Sequence, residues 1–368
     1  MRQAAIFQTT LLNQRLEQPL LIENVFPDIA EDKPRLILLT PEHKLHGRRF
    51  FVEALKAEVI YSIPNEIRDT DVIGIFGYDD FLENIVLIQK CGLKRVLLFE
   101  AGFLRGVLMD SSGSLFDRAW CFFVDDVGFH YDPNTRSRLE LMITDPSLNF
   151  SASELDRAKL LRTRLVTERL TKYNDQRVEN VHRDGKRQRV LVVEQARRDW
   201  AIVKSGGNSK SFDHMLQVAL EQNPEAEIVL KVHPDTLNGK RGGVKKSYFG
   251  QLESGENITV IKEKINPLSL IETVDKVYVY SSMLGFEAAM MGKEVHLFGK
   301  PCYGGCGITV DYQTYANRTR ERSLDELVYI IYVLYQKYKN RGGTWCEPED
   351  MISELIDLRA SYFSEHGL

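Results

Sequence analysis

The sequence has few cysteines, no long apolar run and no excess of basic charge, and each of these features excludes a class of protein. Five cysteines are scattered over 368 residues without a Cys-x-x-Cys pair, which favours a reducing cytoplasm and argues against a disulfide framework or a zinc site. No run of about 18 apolar residues is present, so no membrane-spanning helix is predicted. A formal net charge of -4 argues against nucleic acid as a partner, because nucleic-acid binding relies on basic surfaces.

Short apolar runs alternate with helical patterns along most of the chain. One series of candidate strands covers residues 35–40, 58–63, 72–77, 95–100 and 121–125, and a second covers 189–195, 227–233, 258–262, 276–281 and 294–299. Apolar strands separated by helices are typical of parallel sheets that are covered on both faces. Because the length also suits two domains, the sequence predicts an α/β protein with two Rossmann-like domains.

A charged stretch over residues 152–184 separates the two series of strands. Its leucines follow helical spacing and predict one buried stripe, made of Leu155, Leu160, Leu161, Leu165 and Leu170. The polar segment 180–186 is interpreted as a hinge, which predicts an N-terminal domain over residues 1–186 and a C-terminal domain over residues 187–368. The last helices are expected at 323–339 and 348–362. The basic residues around 183–189 fit a solvated linker, and an association with an anionic membrane surface is left open.

Polar side chains follow many of the predicted strands at their carboxyl ends. Ligands of open parallel sheets bind beyond these ends. The polar residues found there are Glu100, Asp125, Asp126, Gln195, Asp199, Lys231, His233, Ser281, Ser282 and Tyr303. Caps and turns alone would not place acidic, basic, imidazole and hydroxyl groups at so many strand ends. The sequence therefore predicts an active site in the cleft between the two domains.

The segment Lys231-Val232-His233-Pro234 is the sharpest local motif. Strand alternation places Lys231 and His233 on one face, and Pro234 prevents the strand from continuing as a paired interior strand. A cation and an imidazole on the same face suit a phosphate oxygen. A histidine that only ends the strand is the alternative.

The segment Ser281-Ser282-Met283-Leu284-Gly285 joins a buried strand to a helix. Hydroxyls at a helix start cap its free N–H groups, and the same groups can bind an anion. Gly285 would let a ligand or backbone approach closely. Together with Lys231 and His233, these residues predict a phosphate-binding site, with an ordinary helix cap as the alternative.

Asp199 is the candidate nucleophile of the site. It follows a predicted strand by a few residues, and Arg197 and Arg198 precede it, so that positive neighbours would keep it ionised. A carboxylate can attack the anomeric carbon of a sugar and form a covalent intermediate. An exposed aspartate in a loop is the alternative.

A wider pattern connects these residues. The second half carries Gln195-x-x-x-Asp199, Lys231-Val232-His233-Pro234-Asp235, Ser282-x-x-Gly285-Phe286-Glu287-Ala288 and Phe298-Gly299-x-Pro301-x-Tyr303, and the first half carries Glu100-x-Gly102-Phe103-Leu104-Arg105. Over residues 189–355 this pattern resembles the bacterial retaining β-Kdo transferases of capsule and O-antigen assembly. The sequence departs from the related sialyltransferase pattern at Ala101, where a second acidic residue is usual, and at Cys306, where an aromatic residue is expected.

The resemblance implies a GT-B fold, CMP-β-Kdo as donor and net retention of configuration. It implies Glu100 as acid/base, with Asp125 or Asp126 as alternatives, and Asp199 and His233 as further catalytic residues. It also implies a donor site formed by Gln195, Lys231, His233, Pro234, Ser281, Ser282, Gly285, Glu287, Arg105 and Tyr303. Neither a cofactor nor a metal is expected, because CMP leaves as a phosphate monoester.

The implied acceptor is a glycan or a lipid-linked oligosaccharide on the cytoplasmic side of the inner membrane. Peripheral membrane association and other modules of a polysaccharide synthase are open partners. Another GT-B enzyme, such as a UDP-dependent transferase or a nucleotide-sugar 2-epimerase, is the first alternative. A non-catalytic glycan-binding module is the second.

Overall fold

A computed structural model describes residues 11–13, 15–16, 19–27, 34–45, 48–90, 95–108, 114–118, 120–172, 174–176, 183, 185, 187–237 and 247–367. These residues form two six-stranded sheets. Each sheet is built mainly from one half of the chain, which confirms the predicted α/β fold.

The first sheet has the strand order β12-β5-β4-β3-β1-β2. Its strands are β1 (Arg35–Leu38), β2 (Glu58–Ile60), β3 (Val72–Phe76), β4 (Val96–Ala101), β5 (Cys121–Asp125) and β12 (Gln336–Tyr338). Strands β1 to β4 are parallel, whereas β5 is antiparallel to both β4 and β12.

The second sheet has the order β11-β10-β9-β6-β7-β8, and all its strand pairs are parallel. Its strands are β6 (Arg189–Val193), β7 (Glu227–Lys231), β8 (Ile258–Ile261), β9 (Lys276–Val279), β10 (Glu294–Leu297) and β11 (Val310–Asp311). The five predicted strands of this half lie at their expected positions, and the short strand β11 adds an edge.

The described α-helices lie before, between and after these strands. They are α1 (Ile22–Val25), α2 (Arg49–Ala54), α3 (Gly77–Lys90), α4 (Arg138–Thr144), α5 (Ala152–Thr167), α6 (Trp200–Lys204), α7 (Ser209–Gln222), α8 (Pro234–Leu237), α9 (Pro267–Glu272), α10 (Leu284–Met290), α11 (Leu324–Val328) and α12 (Pro348–His366). No helix in this part of the chain is long and apolar enough to cross a lipid bilayer.

Strand residues alternate between two hydrophobic clusters on opposite faces of the first sheet. Leu36 and Leu38 pack with Phe99 in one cluster, and Ile37 packs with Leu98 in the other. Helix α2 covers the first face and α3 covers the second. Because both faces are buried, these strands are continuous apolar runs.

The direction of β5 differs from the expected parallel arrangement. A parallel connection needs a crossover, usually a helix, but the described residues between β4 and β5 contain only the helical turn Leu115–Asp117. The chain therefore turns back, and Asp125 pairs with Leu98 rather than with the end of β4. The carboxyl end of β5 consequently lies away from the carboxyl ends of its parallel neighbours.

Helix α5 begins in a capping box, in which Ser151 and Glu154 bind each other's backbone N–H groups. Leu161, Leu165 and Leu170 are buried as predicted, but Leu155 is only half-buried and Leu160 is 72% exposed. The buried face packs against α10, α11 and the helical turn Tyr329–Tyr335 that follows α11. The predicted grouping of this segment with the N-terminal domain is therefore corrected, because it packs on the second half.

The C-terminal segment returns to the first sheet. The helix expected over 323–339 ends early: α11 continues into a π-helical turn, Tyr329–Tyr335, and then into β12. Helix α12 packs beside β12 and the turn Leu115–Asp117. The predicted boundary residue, Lys186, lies outside the described residues. Strand β12 falls within the predicted C-terminal domain, residues 187–368, but completes the other sheet.

A substitution at Gln336 would test how much the pairing of β12 with the first sheet contributes to stability. Gln336 is buried; its Oε1 accepts from the Phe103 N–H (2.7 Å) and its Nε2 donates to the Tyr338 hydroxyl (2.6 Å). Gln336→Ala would leave a buried N–H unpaired, so we expect the free energy of unfolding to fall by about 1–3 kcal/mol in urea denaturation. Gln217→Ala is the control, since exposed Gln217 bonds to Glu221. It should change stability by less than about 0.5 kcal/mol, and equal effects would contradict the prediction.

Candidate active site

A cavity of about 620 Å³ lies between the two sheets. Its lining comes from both halves of the chain. Nine of the twelve residues predicted for the site line it: Glu100, Gln195, Asp199, Lys231, His233, Pro234, Ser281, Ser282 and Glu287. The structure thus brings residues together that are up to 187 positions apart, from Glu100 to Glu287, and their roles in binding stay predictions.

Three parallel strands place the polar residues of the second half. Strand β6 lies between β7 and β9, so Gln195, Lys231 and Ser281 follow or end neighbouring strands at one edge of the sheet. The Gln195 amide fixes this edge, because its Oε1 accepts from the Ser281 N–H (2.7 Å) and its Nε2 donates to the Ser281 hydroxyl (3.2 Å).

Asp199 is held at the start of α6. Its Oδ1 accepts from the Ala201 N–H (2.9 Å), and its own N–H donates to the Ala196 carbonyl (3.1 Å). Arg198 has a φ of 62°, a left-handed conformation that costs a non-glycine residue on the order of 1–3 kcal/mol. The Arg198 side chain is exposed, and Arg197 stacks on the Tyr248 ring at 4.6 Å. This strained turn presents Asp199 to the cavity.

Glu100 lies on the opposite wall, at the end of β4. Its Oε1 accepts from the Ala101 N–H (3.0 Å) and its Oε2 accepts from the Tyr131 hydroxyl (3.3 Å). Burial, followed by the negative charges of Glu100 and Asp199, raises the pKa of Tyr131 well above its usual value. Tyr131 therefore stays a protonated donor beside both carboxylates.

Lys231 and His233 leave the end of β7 on the wall of the second half. Lys231 is buried and donates to the Glu263 carbonyl (2.7 Å), and burial lowers its pKa to about 8. The Nδ1 of His233 accepts from the Asp235 N–H (3.1 Å). In the neutral ring the proton is then on Nε2, and both Lys231 and His233 line the cavity.

The structure removes Asp125 and Asp126 as alternatives to Glu100. Neither lines the cavity, because β5 runs antiparallel. Asp125 accepts from the backbone N–H groups of Val127 and Gly128 and from the Tyr335 hydroxyl, and Asp126 pairs with Arg138. Both carboxylates belong to the interior of the first half.

The sequence pattern of one protein family matches this chain over residues 76–340, which is more than half of it. The chain belongs to the capsule polysaccharide biosynthesis protein family. The matched region begins in β3 and ends just after β12, so it contains all the cavity-lining residues except Lys44 and Arg48.

The chain is 34% identical over 254 residues to the capsule polysaccharide modification protein LipA of Neisseria meningitidis, covering 66% of the chain and 35% of LipA. It is also 34% identical over 241 residues to the lipopolysaccharide-processing protein LpsZ of Rhizobium meliloti, covering 65% of the chain and 53% of LpsZ. The chain therefore spans between about a third and a half of the length of these relatives.

Two solved structures of Thermosulfurimonas dismutans KpsC are similar to this chain. The β-Kdo 2,4 transferase has a TM-score of 0.78 at 29% identity and covers 88% of this chain and 99% of its own. The β-Kdo 2,7 transferase has a TM-score of 0.59 at 22% identity, covering 89% of this chain and 100% of its own, which is evidence for the fold alone. Two Rossmann-like domains that face one cleft, as here, form the predicted GT-B arrangement.

Three predicted residues do not line the cavity. Tyr303 is buried behind the wall, where its hydroxyl donates to the Ser282 carbonyl (2.5 Å). A Cβ at Gly285 would clash with that hydroxyl, so the glycine serves packing rather than ligand approach. Arg105 is buried beside Asp117, 3.7 Å away, because the chain turns from the cleft after β4. The structure thus places these three residues outside the cavity lining, and the donor site remains a prediction.

Ser282 itself lines the cavity in front of Tyr303. Its hydroxyl accepts from the Leu284 N–H (3.2 Å) at the start of α10. The predicted capping role is therefore present in the structure. The anion-binding role predicted for this segment is not tested by it.

Sequence reasoning missed Glu194. This buried carboxylate accepts from the His233 N–H (2.9 Å), the Ser247 hydroxyl (2.5 Å) and the Tyr248 N–H (2.6 Å). Its position directly after an apolar strand was the sequence feature that could have identified Glu194 as a residue near the site. Because Glu194 ties the ends of β6 and β7 together, it positions His233.

Several cavity residues of the first half and of the segment after α5 were also missed. They are Lys44, Arg48, His130, Lys172 and Gln176. Burial, with the charge of Lys172, lowers the pKa of His130 to about 3, so that this imidazole is neutral at physiological pH. Most of these residues lie in connecting segments and do not follow a predicted strand, so the sequence pattern does not indicate them.

Glu287, on α10, is buried in the cavity wall. Burial raises its pKa to about 8 from an ordinary value of 4.5, against the opposing charge of Lys172. The folded protein therefore holds a proton on Glu287 that the unfolded chain releases above pH 4.5. Stability should accordingly fall as the pH rises from about 4.5 to about 8.

Glu287→Gln removes this dependence. We expect its thermal unfolding midpoint to equal that of the unsubstituted protein near pH 4.5 and to exceed it by at least ~2 °C at pH 8. Scanning calorimetry across this range measures the difference. Glu221→Gln, at an exposed glutamate of α7, is the matched control and should show no such trend. A difference that does not vary with pH would contradict the assignment.

Proposed function

We propose that this chain is a retaining β-Kdo transferase that moves Kdo from CMP-β-Kdo to a glycan or glycolipid acceptor in capsule polysaccharide synthesis. One observation carries the proposal: Asp199 and Glu100 share a cavity with Lys231, His233 and Ser282. The likeness to the KpsC β-Kdo 2,4 transferase over 88% of the chain supports the choice of donor.

In the first step, Asp199 attacks C2 of Kdo. Its Oδ1 is held by the Ala201 N–H, so we assign the attack to Oδ2. The new bond from Asp199 to C2 forms as the bond from C2 to the phosphate oxygen breaks, and CMP leaves with the electron pair. Donors of Lys231 and His233 would stabilise the negative charge of the departing phosphate.

In the second step, the acceptor hydroxyl attacks C2 from the face that CMP left. Glu100 takes the proton of that hydroxyl, and the bond between C2 and Asp199 breaks, which regenerates the carboxylate. Tyr131 donates to Glu100 and would keep the carboxylate oriented. Two inversions at C2 give net retention.

Asp199→Ala tests the nucleophile. We expect CMP release from CMP-Kdo with acceptor to fall by at least about 10³-fold, while calorimetry still detects CMP binding, because the nucleotide groups are intact. Asp213→Ala, at an exposed aspartate of α7, is the control and should keep full activity. Retained turnover in Asp199→Ala would remove Asp199 from this role.

The wild-type assay distinguishes the proposal from its rivals. NMR of the product from CMP-Kdo and candidate acceptors gives the donor, the anomeric configuration and the linkage together. An inverted product would refute the double displacement. Stronger thermal stabilisation by UDP than by CMP would favour a uridine-nucleotide enzyme, and absent CMP release would favour a glycan-binding module.

We propose further that transfer needs no divalent cation, because CMP leaves as a monoester whose charge Lys231 and His233 can meet. Dialysis against EDTA should leave the rate within about twofold of the untreated enzyme. Added magnesium should not raise the rate. Loss of activity in EDTA and its return with magnesium would contradict this prediction.

We place the reaction in a reducing compartment, on the cytoplasmic side of the inner membrane. The cysteines Cys121, Cys302, Cys306 and Cys346 are free thiols, which supports this location. The acceptor, membrane association and other synthase modules are proposed from the family, since the chain spans only part of its curated relatives.

A further inference from the structure

A Kdo donor carries a carboxylate on its anomeric carbon, directly beside the point of attack. Under the proposed function, on which this inference rests, the cavity must bind that carboxylate close to Asp199. The residue that does so must also be separate from Lys231 and His233, which are assigned to the phosphate. Carboxylates are bound most strongly by charged donors, so a cation in the cavity wall is the first candidate.

Four described lysine and arginine residues line the cavity: Lys44, Arg48, Lys172 and Lys231. Lys44 is paired with Asp80 at 2.7 Å and Glu83 at 3.6 Å. Arg48 lies over the Phe76 ring at 5.5 Å, on the wall of the first half. Lys172 forms no hydrogen bond or ion pair with another residue that the structure describes, so its ammonium group is available to a ligand.

The backbone of Lys172 is fixed at the junction of the two halves. Asn174 is fully buried; its Oδ1 accepts from the Thr171 N–H (2.9 Å) and its Nδ2 donates to the carbonyls of Thr171 (2.6 Å) and Gly106 (2.8 Å). This turn ties the segment to the first half. A lysine with a fixed backbone loses less freedom when its side chain binds a ligand.

The surroundings of Lys172 connect it to the reacting groups. Burial, followed by the charge of Lys172, lowers the pKa of His130, and the same charge opposes the rise that burial causes in the pKa of Glu287, so Lys172 interacts electrostatically with two other residues of the cavity wall. The His130 ring lies 5.0 Å from the Tyr131 ring, and the Tyr131 hydroxyl binds Glu100. Because the pKa of Glu287 is about 8, this neighbour is mainly protonated at pH 7 and does not neutralise Lys172.

We propose that Lys172 binds the C1 carboxylate of the donor sugar and thereby selects a 2-keto acid sugar over a neutral one. The ammonium group, in the cavity wall beside His130, meets the carboxylate while Lys231 and His233 meet the phosphate. Lys172 is then a specificity residue of the site, whereas Asn174 is a positioning residue.

Binding in the non-reacting Asp199→Ala background tests this assignment with CMP-Kdo and CMP as probes. Adding Lys172→Met should weaken CMP-Kdo binding roughly 10- to 100-fold, the range expected for one lost charged hydrogen bond. CMP lacks the carboxylate, so its dissociation constant should change less than about twofold. Lys172→Arg should restore part of the CMP-Kdo affinity, and Lys159→Met, at an exposed lysine of α5, should leave both affinities unchanged.

The outcomes separate this inference from the proposed function. Unchanged CMP-Kdo affinity in Lys172→Met would overturn the inference, and so would equal losses for CMP-Kdo and CMP, which would indicate a nucleotide contact or a structural role. If the unsubstituted protein itself fails to bind CMP-Kdo or to release CMP from it, the proposed function fails first. Circular dichroism of each variant identifies those that do not fold.

Discussion

The site depends on a buried ion pair that fastens the short helix α6 to the opposite domain. Lys204, at the end of α6, pairs with buried Asp132 at 2.6 Å, bonds to the Tyr78 hydroxyl and lies 3.9 Å from the centre of that ring. At the start of α6, Trp200 donates to Asp79 (3.2 Å). Breaking one partner of such a buried pair is strongly unfavourable. Because Asp199 caps α6, this contact across the cleft fixes a carboxylate that lines the cavity.

The two walls of the cleft supply different groups to the proposed reaction. The second half supplies Lys231 and His233 from strand ends that Glu194 and Gln195 tie together. The first half supplies Glu100, whose orientation rests on Tyr131. In the proposed mechanism, the departing phosphate needs a cationic hydrogen-bond donor, whereas the attacking acceptor hydroxyl needs a basic carboxylate to take its proton. The phosphate-binding donors therefore come from one domain and the proposed base comes from the other.

The sequence predicts the second half well because β6, β7 and β9 are parallel and buried. Their polar residues follow the apolar runs directly, so Gln195, Lys231 and Ser281 could be placed at one edge from sequence alone. The first half is harder to predict, because an apolar run does not indicate whether its strand is parallel or antiparallel to its neighbours. The antiparallel course of β5 took Asp125 and Asp126 away from the cleft, and β12 was hidden in a helical pattern because it pairs with residues over 200 positions away.

Residues on connecting segments left no periodic signal. Lys172 lies in the charged stretch over residues 152–184, which was predicted only to separate the two series of strands, and the buried Asn174 turn gives it a fixed place. Tyr303 and Gly285 were predicted to line the site but do not, because a family motif contains packing residues as well as binding residues. Arg105 was likewise part of a matching motif but pairs with Asp117 inside the first half. Burial, which decides between these roles, becomes visible only in the fold.

The central claim is that Asp199 forms a covalent bond to C2 of the donor sugar. The most direct measurement is intact-protein mass spectrometry of the Glu100→Gln variant after brief incubation with CMP-Kdo, followed by peptide mapping. Without the base, the second step is slow, so the account predicts an added mass of one Kdo residue on the peptide that contains Asp199. An active wild-type enzyme whose variant carries no adduct, or carries one on another residue, would contradict the account.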